Sequence, residues 1–449
     1  MLRKGDLTQG GITGTLLHFT LPMLVGSLLQ QCYNIADTLI VGQCIGAGAL
    51  AAVGSAYTLM VFLISVLLGL AMGSGTVFSL HYGAGNHVAL RRSIFSSFAL
   101  IGIVTLILNV VVFIWLDPIL RLLQVPQDIY GMMRSYLWII FCGIVFTFIY
   151  NFYASLLRAV GDSVTPIWFL AVSVVLNIAL DLFFILQLDW GIQGAAAATV
   201  LAQGVAALGI IIYTYRRRPE LRWHHEDMCF DRTCLKEIAS FSTLTCVQQS
   251  VMNLGILMIQ GLVNSFGTAV MAAFAAAVKI DSFAYMPVQE FGNAFSTFIA
   301  QNFGAGRYDR IHRGVRSAFV TAVVFSLLVS VLVFVFAEPL MLIFVRPDET
   351  EIIAVGVTYL RIEGAFYCGI GILFLLYGYY RAIRMPGMSV VLTVLSLGTR
   401  VVLSYWLASI PEIGVTGIWW SIPIGWLIAD VAGIWYYRYK KFRFQESKA

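Results

Sequence analysis

Residues 21–42 read LPMLVGSLLQQCYNIADTLIVG, an apolar stretch that contains the acidic residue Asp37. Gln30, Asn34 and Asp37 are spaced four and then three residues apart, so they share one face of a helix. Placing a carboxylate in hydrocarbon costs at least about 2.5–3.5 kcal/mol, and such residues usually face a cavity. We therefore predict that this stretch is a membrane-spanning helix with a functional polar face.

The composition places the whole chain in the class of integral membrane proteins. Of its 449 residues, 59% are hydrophobic and 11% are charged, whereas an ordinary soluble protein is roughly a quarter charged. The apolar runs are continuous rather than alternating, which excludes a β-barrel. Twelve runs are long enough to span about 30 Å of hydrocarbon. They lie near residues 16–41, 52–80, 93–115, 132–157, 166–187, 192–214, 238–264, 271–300, 316–336, 355–381, 387–409 and 415–437.

The basic residues predict the orientation of these spans. Most of the 28 Lys and Arg residues fall in loops on one side of the predicted membrane. Basic loops stay in the cytosol, so we predict a multi-pass protein of the cytoplasmic membrane with both termini cytosolic. The basic residues lie in short loops between apolar runs, which argues against a nucleic-acid partner. The opposite side holds Arg121, Arg134, Arg346 and Arg361.

The chain also contains an internal repeat. Gly83-Ala84-Gly85 returns as Gly304-Ala305-Gly306, 221 residues later, and Arg158-Ala159 returns as Arg381-Ala382, 223 residues later. Each half carries six predicted spans, so both halves enter the membrane from the same side, and a cavity is expected between them. We predict an all-α integral membrane protein with twelve transmembrane helices in two pseudo-symmetric six-helix bundles. The predicted division is 1–218 for the first bundle, 219–236 for a cytosolic linker and 237–449 for the second bundle.

Oxygen-bearing side chains collect in the spans of the first half. Asn177 and Asp181 are four residues apart on one helix face, and Asp37, Asn151 and Thr199 lie in other spans of that half. Two carboxylates in one apolar pocket cannot both ionise cheaply, so the pair can hold a shared proton or a small cation such as Na⁺. The alternative is that these residues make polar contacts between helices, with Asp181 near an outer interface.

The second half offers a different set of polar residues. Its first span carries an uncharged polar stripe, and its second span carries Glu290 just after an aromatic residue and a methionine. Aromatic faces attract organic cations, and methionine adapts to varied shapes. Each acid could instead be a solvated or paired group near a helix end, and Lys279 could pair with Asp281. The candidate substrate-cavity residues are Gln30, Asn34, Gln249, Asn253, Tyr285, Met286, Glu290, Asn293 and Glu363.

The motifs of an ATPase or a membrane enzyme are absent from the sequence. No Gly-Lys dipeptide occurs, so there is no phosphate-binding loop of the P-loop type. No H-E-x-x-H motif, His cluster or nucleophile motif occurs either. We therefore predict a protein that is not an enzyme and needs no cofactor, with H⁺ or Na⁺ as a coupling ion.

Several short motifs occur along the chain in a specific order and spacing. They are Gln30-Gln31 with Asp37 and Gly42, Ala51-Ala52, Gly83-Ala84-Gly85-Asn86, Leu157-Arg158-Ala159-Val160-Gly161-Asp162, Gln301-Asn302-Phe303-Gly304-Ala305-Gly306 and Tyr380-Arg381-Ala382. Taken together, these motifs resemble the multidrug and toxic compound extrusion (MATE) transporters over nearly the whole chain. The resemblance implies twelve helices in two lobes, a V-shaped cavity and antiport of cationic drugs against H⁺ or Na⁺.

The family resemblance also implies a cation site in the first lobe. Matched residue by residue, that site, which can take Na⁺, falls on Asp37, Asn177, Asp181 and Thr199, with Tyr33 and Asn151 lining it. The NorM-like branch places an acid in the seventh span, where this chain has Gly255. We therefore expect a bacterial protein that is closer to the DinF-like arrangement.

The expected function is a secondary antiporter that exports cationic or amphiphilic drugs. We expect it to work as a monomer among membrane lipids. The alternative is a flippase or exporter of a lipid-linked or other metabolite in the same superfamily. A flippase needs basic residues for phosphates, and Lys279 and Arg400 are the basic residues within predicted spans, which favours cationic or neutral cargo.

Overall fold

The computed structural model describes residues 6–122, 125–228 and 231–446. Within these ranges the regular structure is helical, with short turns between the helices. The α-helices are α1 Ile12–Cys44, α2 Ala47–Gly83, α3 His87–Leu122, α4 Gln127–Cys142, α5 Ile144–Ala159, α6 Thr165–Leu182, α7 Gly191–Arg217, α8 Arg232–Asn264, α9 Thr268–Gly304, α10 Tyr308–Val335, α11 Ala337–Met341, α12 Thr350–Gly364, α13 Tyr367–Ala382, α14 Pro386–Ala408 and α15 Val415–Glu446.

The predicted number of membrane helices is confirmed, with two of the spans broken. Of the described helices, ten are long and apolar enough to cross a membrane, and up to twelve spans result when each bent pair counts as one. The bent pairs are α4 with α5, at 47°, and α12 with α13, at 51°. At the first break, a Cβ on Gly143 would lie 2.5 Å from the Val200 side chain. Glycine therefore allows α7 to approach the break closely.

The internal repeat is visible in the backbone as well as in the sequence. Gly85 and Gly306 both have φ +67°, and Gly191 and Gly414 both have φ +54°. A positive φ favours glycine, because glycine has no Cβ that would clash with the backbone. The two bent pairs also recur at equivalent places in the halves. The expectation of two pseudo-symmetric halves is therefore confirmed.

The chain divides into two compact units. The first unit comprises His18–Cys246 and the described residues up to Leu7, and the second comprises Thr8–Leu17 and the residues from Val247 onward. The division therefore lies inside α8, beyond the predicted linker at 219–236. In each unit the buried apolar residues of several helices form one contiguous core.

The segment Thr8–Leu17 is joined to the second unit by specific hydrogen bonds. The guanidinium group of Arg310 donates to the backbone carbonyl oxygens of Gln9 and Gly10, each at 2.6 Å. The hydroxyl groups of Thr13 and Ser317 lie 2.7 Å apart. These contacts explain why the start of the chain is assigned to the second unit although α1 continues into the first.

The predicted linker belongs to the first unit and contacts its helix α3. Asp227 Oδ2 accepts hydrogen bonds from Arg91 Nε at 2.7 Å and from the backbone N–H of His224 at 3.0 Å. Burial opposes the charged form of Asp227, but these donors outweigh burial and hold its pKa below the usual value. The Trp223 ring contacts Phe98 at 5.6 Å between centroids. The last residues of the predicted linker are already helical, because α8 begins at Arg232.

Small residues bring α2 and α8 into close contact within the first unit. A Cβ on Gly69 would lie 2.6 Å from the backbone of α8, and a Cβ on Gly73 would lie 2.5 Å from the Phe241 carbonyl oxygen. Gly-x-x-x-Gly spacing allows two helix backbones to approach closely. The hydroxyl groups of Ser74 and Ser242 then lie 2.9 Å apart, within hydrogen-bonding distance.

We expect Gly73→Ala to destabilise the solubilised protein by about 1–3 kcal/mol, because the new methyl group overpacks backbone atoms that cannot turn aside. Gly54→Ala is the matched control in the same helix, since no atom lies within 4 Å of a Cβ at that position. The thermal midpoint should fall for Gly73→Ala and stay level or rise for Gly54→Ala. Equal midpoints for the two variants would contradict the close approach of α2 and α8.

Candidate functional site

Asp37 and Asp181 are brought together inside the first unit. Asp37 on α1 is 9% exposed, and Asp181 near the end of α6 is fully buried. Each carboxyl group lies in the electrostatic environment of the other. Two ionised carboxylates in one buried site repel each other, so a proton or another cation bound between them lowers the electrostatic cost of their burial. Directly after this point the chain forms a π-helical turn at Phe183–Gln187, a feature that is frequent at functional sites.

Asn177 and Thr199 complete a polar cluster around Asp181. When its amide nitrogen faces the carboxyl group, Asn177 donates to Asp181 Oδ2 at 2.9 Å, and its oxygen accepts from the Thr199 backbone N–H at 3.2 Å. This orientation satisfies both ends of the amide. The Thr199 hydroxyl lies 3.3 Å from the Tyr33 hydroxyl. Three helices, α1, α6 and α7, therefore supply the cluster.

The two carboxyl groups have oxygen atoms that can still bind a cation. Oδ1 of Asp37 and Oδ1 of Asp181 have no hydrogen-bond partner within the described residues. Among the residues that the structure describes, no Lys or Arg contributes to the electrostatic environment of either carboxyl group. A buried polar atom left unsatisfied costs about 1–3 kcal/mol. Carboxyl, amide and hydroxyl oxygens are the donors that a hard cation prefers, so this arrangement can bind and release H⁺ or Na⁺.

The cluster differs from the prediction at Asn151, which makes no hydrogen bond to it over the described ranges, and at Tyr136, which was not predicted. Asn151 donates its amide to the Thr147 carbonyl oxygen of its own helix at 2.8 Å, and no hydrogen bond within the described residues joins it to Asp37 or Asp181. Tyr136 on α4 is 4% exposed and interacts electrostatically with both carboxyl groups. Sequence reasoning missed Tyr136, because a tyrosine in an apolar run carries no signal until the helices are packed.

The candidate substrate-cavity residues divide between the two units. On α1 in the first unit, Gln30 is exposed and Asn34 is half-buried. In the second unit, two residues are buried, namely Met286 and Glu363. The half-buried residues of the second unit are Gln249, Asn253, Tyr285, Glu290 and Asn293.

Asp281 and Glu363 form a second buried pair, which lies in the second unit. They are 4% and 3% exposed on α9 and α12, and each lies in the electrostatic environment of the other. Arg400 on α14 interacts electrostatically with both. Lys279 is exposed, and no ion pair within the described residues joins it to Asp281. The alternative in which Lys279 pairs with Asp281 is therefore wrong.

Comparisons with known proteins point to one family. The MatE family model matches residues 22–183 and 245–406, once in each half. The probable multidrug resistance protein YpnP of Bacillus subtilis is 30% identical and aligns over 98% of both chains. The FAD transporter of Shewanella oneidensis is 24% identical over 96% of both chains. The Vibrio cholerae MATE transporter VcmN in the bent form is 25% identical, with a TM-score of 0.87 over 95% of this chain and 96% of that chain.

Proposed function

Because the chain belongs to the MatE family, a family of transporters, we propose that it is a secondary antiporter that exports cationic or amphiphilic drugs in exchange for H⁺ or Na⁺. The chain is a multi-pass membrane protein. The observation that carries the proposal is the buried pair of Asp37 and Asp181, which has no Lys or Arg in its electrostatic environment within the described residues. The multidrug resistance relatives support drug cargo.

The charge of the Asp37–Asp181 pair couples ion binding to drug export. With one shared proton, Asp37 and Asp181 together carry a charge of −1, and a second H⁺ or one Na⁺ makes the pair neutral. Asn177 and Thr199 hold Asp181 in place, so the bound ion stabilises the arrangement of α1, α6 and α7 in which these residues meet. Export follows if drug and ion favour opposite states, because a ligand shifts an equilibrium only by its differential affinity for the two states.

The proposal also covers the membrane, the oligomeric state and the two lobes of the transporter. We place it in the cytoplasmic membrane of a bacterium, as a monomer surrounded by lipids, with 1–218 and 237–449 as functional lobes. The coupling ion binds in the first lobe, as in the DinF-like arrangement, because Gly255 stands where a NorM-like protein has an acid. Asn151 and Tyr33 line the site, and Tyr33 does so through the Thr199 hydroxyl.

A second candidate function is export of a metabolite, and one observation favours it. A relative that aligns over nearly the whole chain is the FAD transporter of Shewanella oneidensis, and FAD carries phosphates. Phosphate binding needs accessible basic groups. Lys279 is exposed on α9, and Arg400 interacts with Asp281 and Glu363. A single exposed lysine is a weak basis for binding several phosphates, and the multidrug resistance relatives make drugs the better-supported cargo.

Gradient-driven transport tests the proposal. Purified protein in vesicles should accumulate a fluorescent cationic dye when a pH gradient or a Na⁺ gradient is imposed alone, and should not accumulate it without a gradient. The gradient that works identifies the coupling ion. Protein-free vesicles give the passive leak of the dye. Accumulation that needs no gradient, or that needs ATP, would rule out antiport.

Labelling of single cysteines tests the orientation. We expect a maleimide that cannot cross membranes to label Leu188→Cys but not His225→Cys in intact cells, on a background in which the seven native cysteines are replaced. Both positions are exposed, so the difference reports the side of the membrane. Labelling of both after permeabilisation is the control. The reverse pattern would overturn the assignment of cytosolic termini.

A further inference from the structure

The start of α10 carries a cluster of arginines that the proposed antiport does not use. Arg307, Arg310, Arg313 and Arg316 occur at every third position, and we call these four residues the basic patch. Arg307, Arg313 and Arg316 are exposed, and their guanidinium groups make no ion pair or hydrogen bond within the described residues. The patch therefore presents positive charge that the described part of the protein does not neutralise.

A cavity of about 490 Å³ lies beside the basic patch. It is lined by Gly306, Arg307, Tyr308, Asp309, Arg310 and Arg313. Three arginines and one aspartate give this lining a net positive charge. The volume is within the range of about 300–1,000 Å³ that is usual for small-molecule sites. Because a guanidinium group binds phosphate oxygens through paired N–H donors, the cavity suits a phosphate group.

Arg310 forms a fixed wall of this cavity. Its guanidinium group donates to the backbone carbonyl oxygens of Gln9 and Gly10, each at 2.6 Å, and lies 5.4 Å from the centre of the Phe298 ring. These contacts hold the positive charge of Arg310 in one place. The other guanidinium groups of the patch are not engaged in this way, so their N–H groups can bind an anion.

The face of α10 that carries Arg313 and Arg316 continues as an apolar stripe. At spacings of three or four residues along this face, the chain places Val320, Val324, Leu327 and Val331, which are 51–61% exposed. Arg316 and Val320 are four residues apart, which is about 6 Å along a helix. The headgroup layer of a bilayer is about 5–8 Å thick on each side. This face therefore matches a molecule with an anionic headgroup and apolar chains.

The equivalent end of α3 in the first unit is covered by the protein's own chain. With the repeat offset of 221 residues, Arg316 corresponds to Phe95. The Phe95 ring packs edge-on against Trp223 of the linker, at 6.2 Å between centroids. Asp227 of the same linker pairs with Arg91 at 2.7 Å. The linker thus covers this end of α3 and neutralises a guanidinium group there, whereas Arg316 is exposed.

We propose that the basic patch binds the headgroup of an anionic phospholipid of the cytosolic leaflet, with the lipid chains along the apolar stripe 320–331. Anionic lipids of that leaflet attract basic residues near the membrane surface. The occupant is a lipid rather than a soluble phosphate compound, because the charged face and the exposed apolar face are continuous on one helix. The candidate substrate-cavity residues lie on α1, α8, α9 and α12, so this site is separate from the proposed cargo site.

Native mass spectrometry of the purified protein in detergent tests this site, with phosphatidylglycerol as the probe and phosphatidylcholine as the comparison. The wild type should bind phosphatidylglycerol more tightly. Arg313→Gln combined with Arg316→Gln should weaken this binding by roughly tenfold or more. The same two positions changed to Lys keep the charge and should retain most of the binding. Glycerophosphoglycerol, the headgroup without its chains, should not displace the lipid at an equal concentration.

Arg216→Gln combined with Arg217→Gln is the matched control. Both arginines are exposed at the end of α7, so this variant loses the same charge away from the basic patch. Its affinity for phosphatidylglycerol should change by less than about twofold, because the attraction between an exposed charge and a lipid headgroup is local at physiological ionic strength.

Three results would overturn the proposal. Equal losses in the two double variants would mean that any exposed arginine attracts anionic lipid. Equal affinity of the wild type for both lipids would exclude a headgroup site. Displacement by glycerophosphoglycerol or inorganic phosphate at the lipid's own concentration would indicate a site for soluble phosphates. Gel filtration and the thermal midpoint establish folding, and the single variants Arg313→Gln and Arg316→Gln decide if the double variant does not fold.

Failure of this proposal is distinguishable from failure of the proposed function. Lipid binding in detergent does not depend on an ion gradient, on the cargo or on the orientation of the chain. If cysteine labelling reversed the orientation, the lipid would belong to the opposite leaflet, but the loss in the Arg313 and Arg316 variants would be unchanged.

Discussion

We expect Asp37→Asn and Asp181→Asn each to abolish export of every substrate, cationic or neutral. Asparagine fills the same space as aspartate, but it cannot take up a proton or offer a charged oxygen to Na⁺. The two carboxyl groups lie in each other's electrostatic environment, so we expect either substitution to disable the proposed coupling-ion site. Drug efflux from energised cells should fall by at least about tenfold, which corresponds to about 1.4 kcal/mol, while expression and the thermal midpoint stay near the wild-type values.

Two comparisons make this result specific to the pair. The double variant should export no worse than the weaker single variant, because groups that act as one unit give non-additive losses. Asp189→Asn is the matched control. Asp189 is exposed, with φ +52°, a conformation that asparagine also adopts, so export should be unchanged. Independent, multiplicative losses for Asp37 and Asp181 would indicate two separate roles instead of one shared site.

The second large effect is expected at Glu290, and it should depend on the charge of the drug. Asp281 and Glu363 are buried with Arg400 nearby, whereas Glu290 on α9 is half-buried. We therefore expect Glu290 to make the negative contact with a cationic substrate. Glu290→Gln should weaken export of a cationic drug by roughly tenfold, or about 1.4 kcal/mol, and leave a neutral drug of similar size nearly unaffected.

Matched variants separate a charge effect at Glu290 from a structural one. Glu290→Asp keeps the charge and should retain most of the cationic transport. Ion-driven transport of the neutral drug should survive in Glu290→Gln, because the proposed coupling-ion site lies in the first unit. If Glu290→Gln abolished transport of both drugs while Asp37→Asn were mild, the assignment of ion and drug to the two lobes would be wrong.

The sequence by itself determined the features that are local to one helix or repeated along the chain. Continuous apolar runs predicted the number of membrane helices, because hydrophobic length is a property of a single segment. The recurrence of Gly83-Ala84-Gly85 as Gly304-Ala305-Gly306 predicted the two-fold architecture. Helical spacing placed Asn177 and Asp181 on one face, and the structure shows the hydrogen bond that joins them when the Asn177 amide faces the carboxyl group.

Only the tertiary structure decided which of these faces meet. It placed Glu363 and not Lys279 in the electrostatic environment of Asp281, added Tyr136 to the surroundings of Asp37 and turned the Asn151 amide back to its own helix. It also divided the units at Cys246 inside α8. Such choices depend on the rotation of each helix and on contacts between segments far apart in the chain. A period of 3.6 residues fixes which side chains share a helix face, but the partner of that face is fixed only when the helices pack.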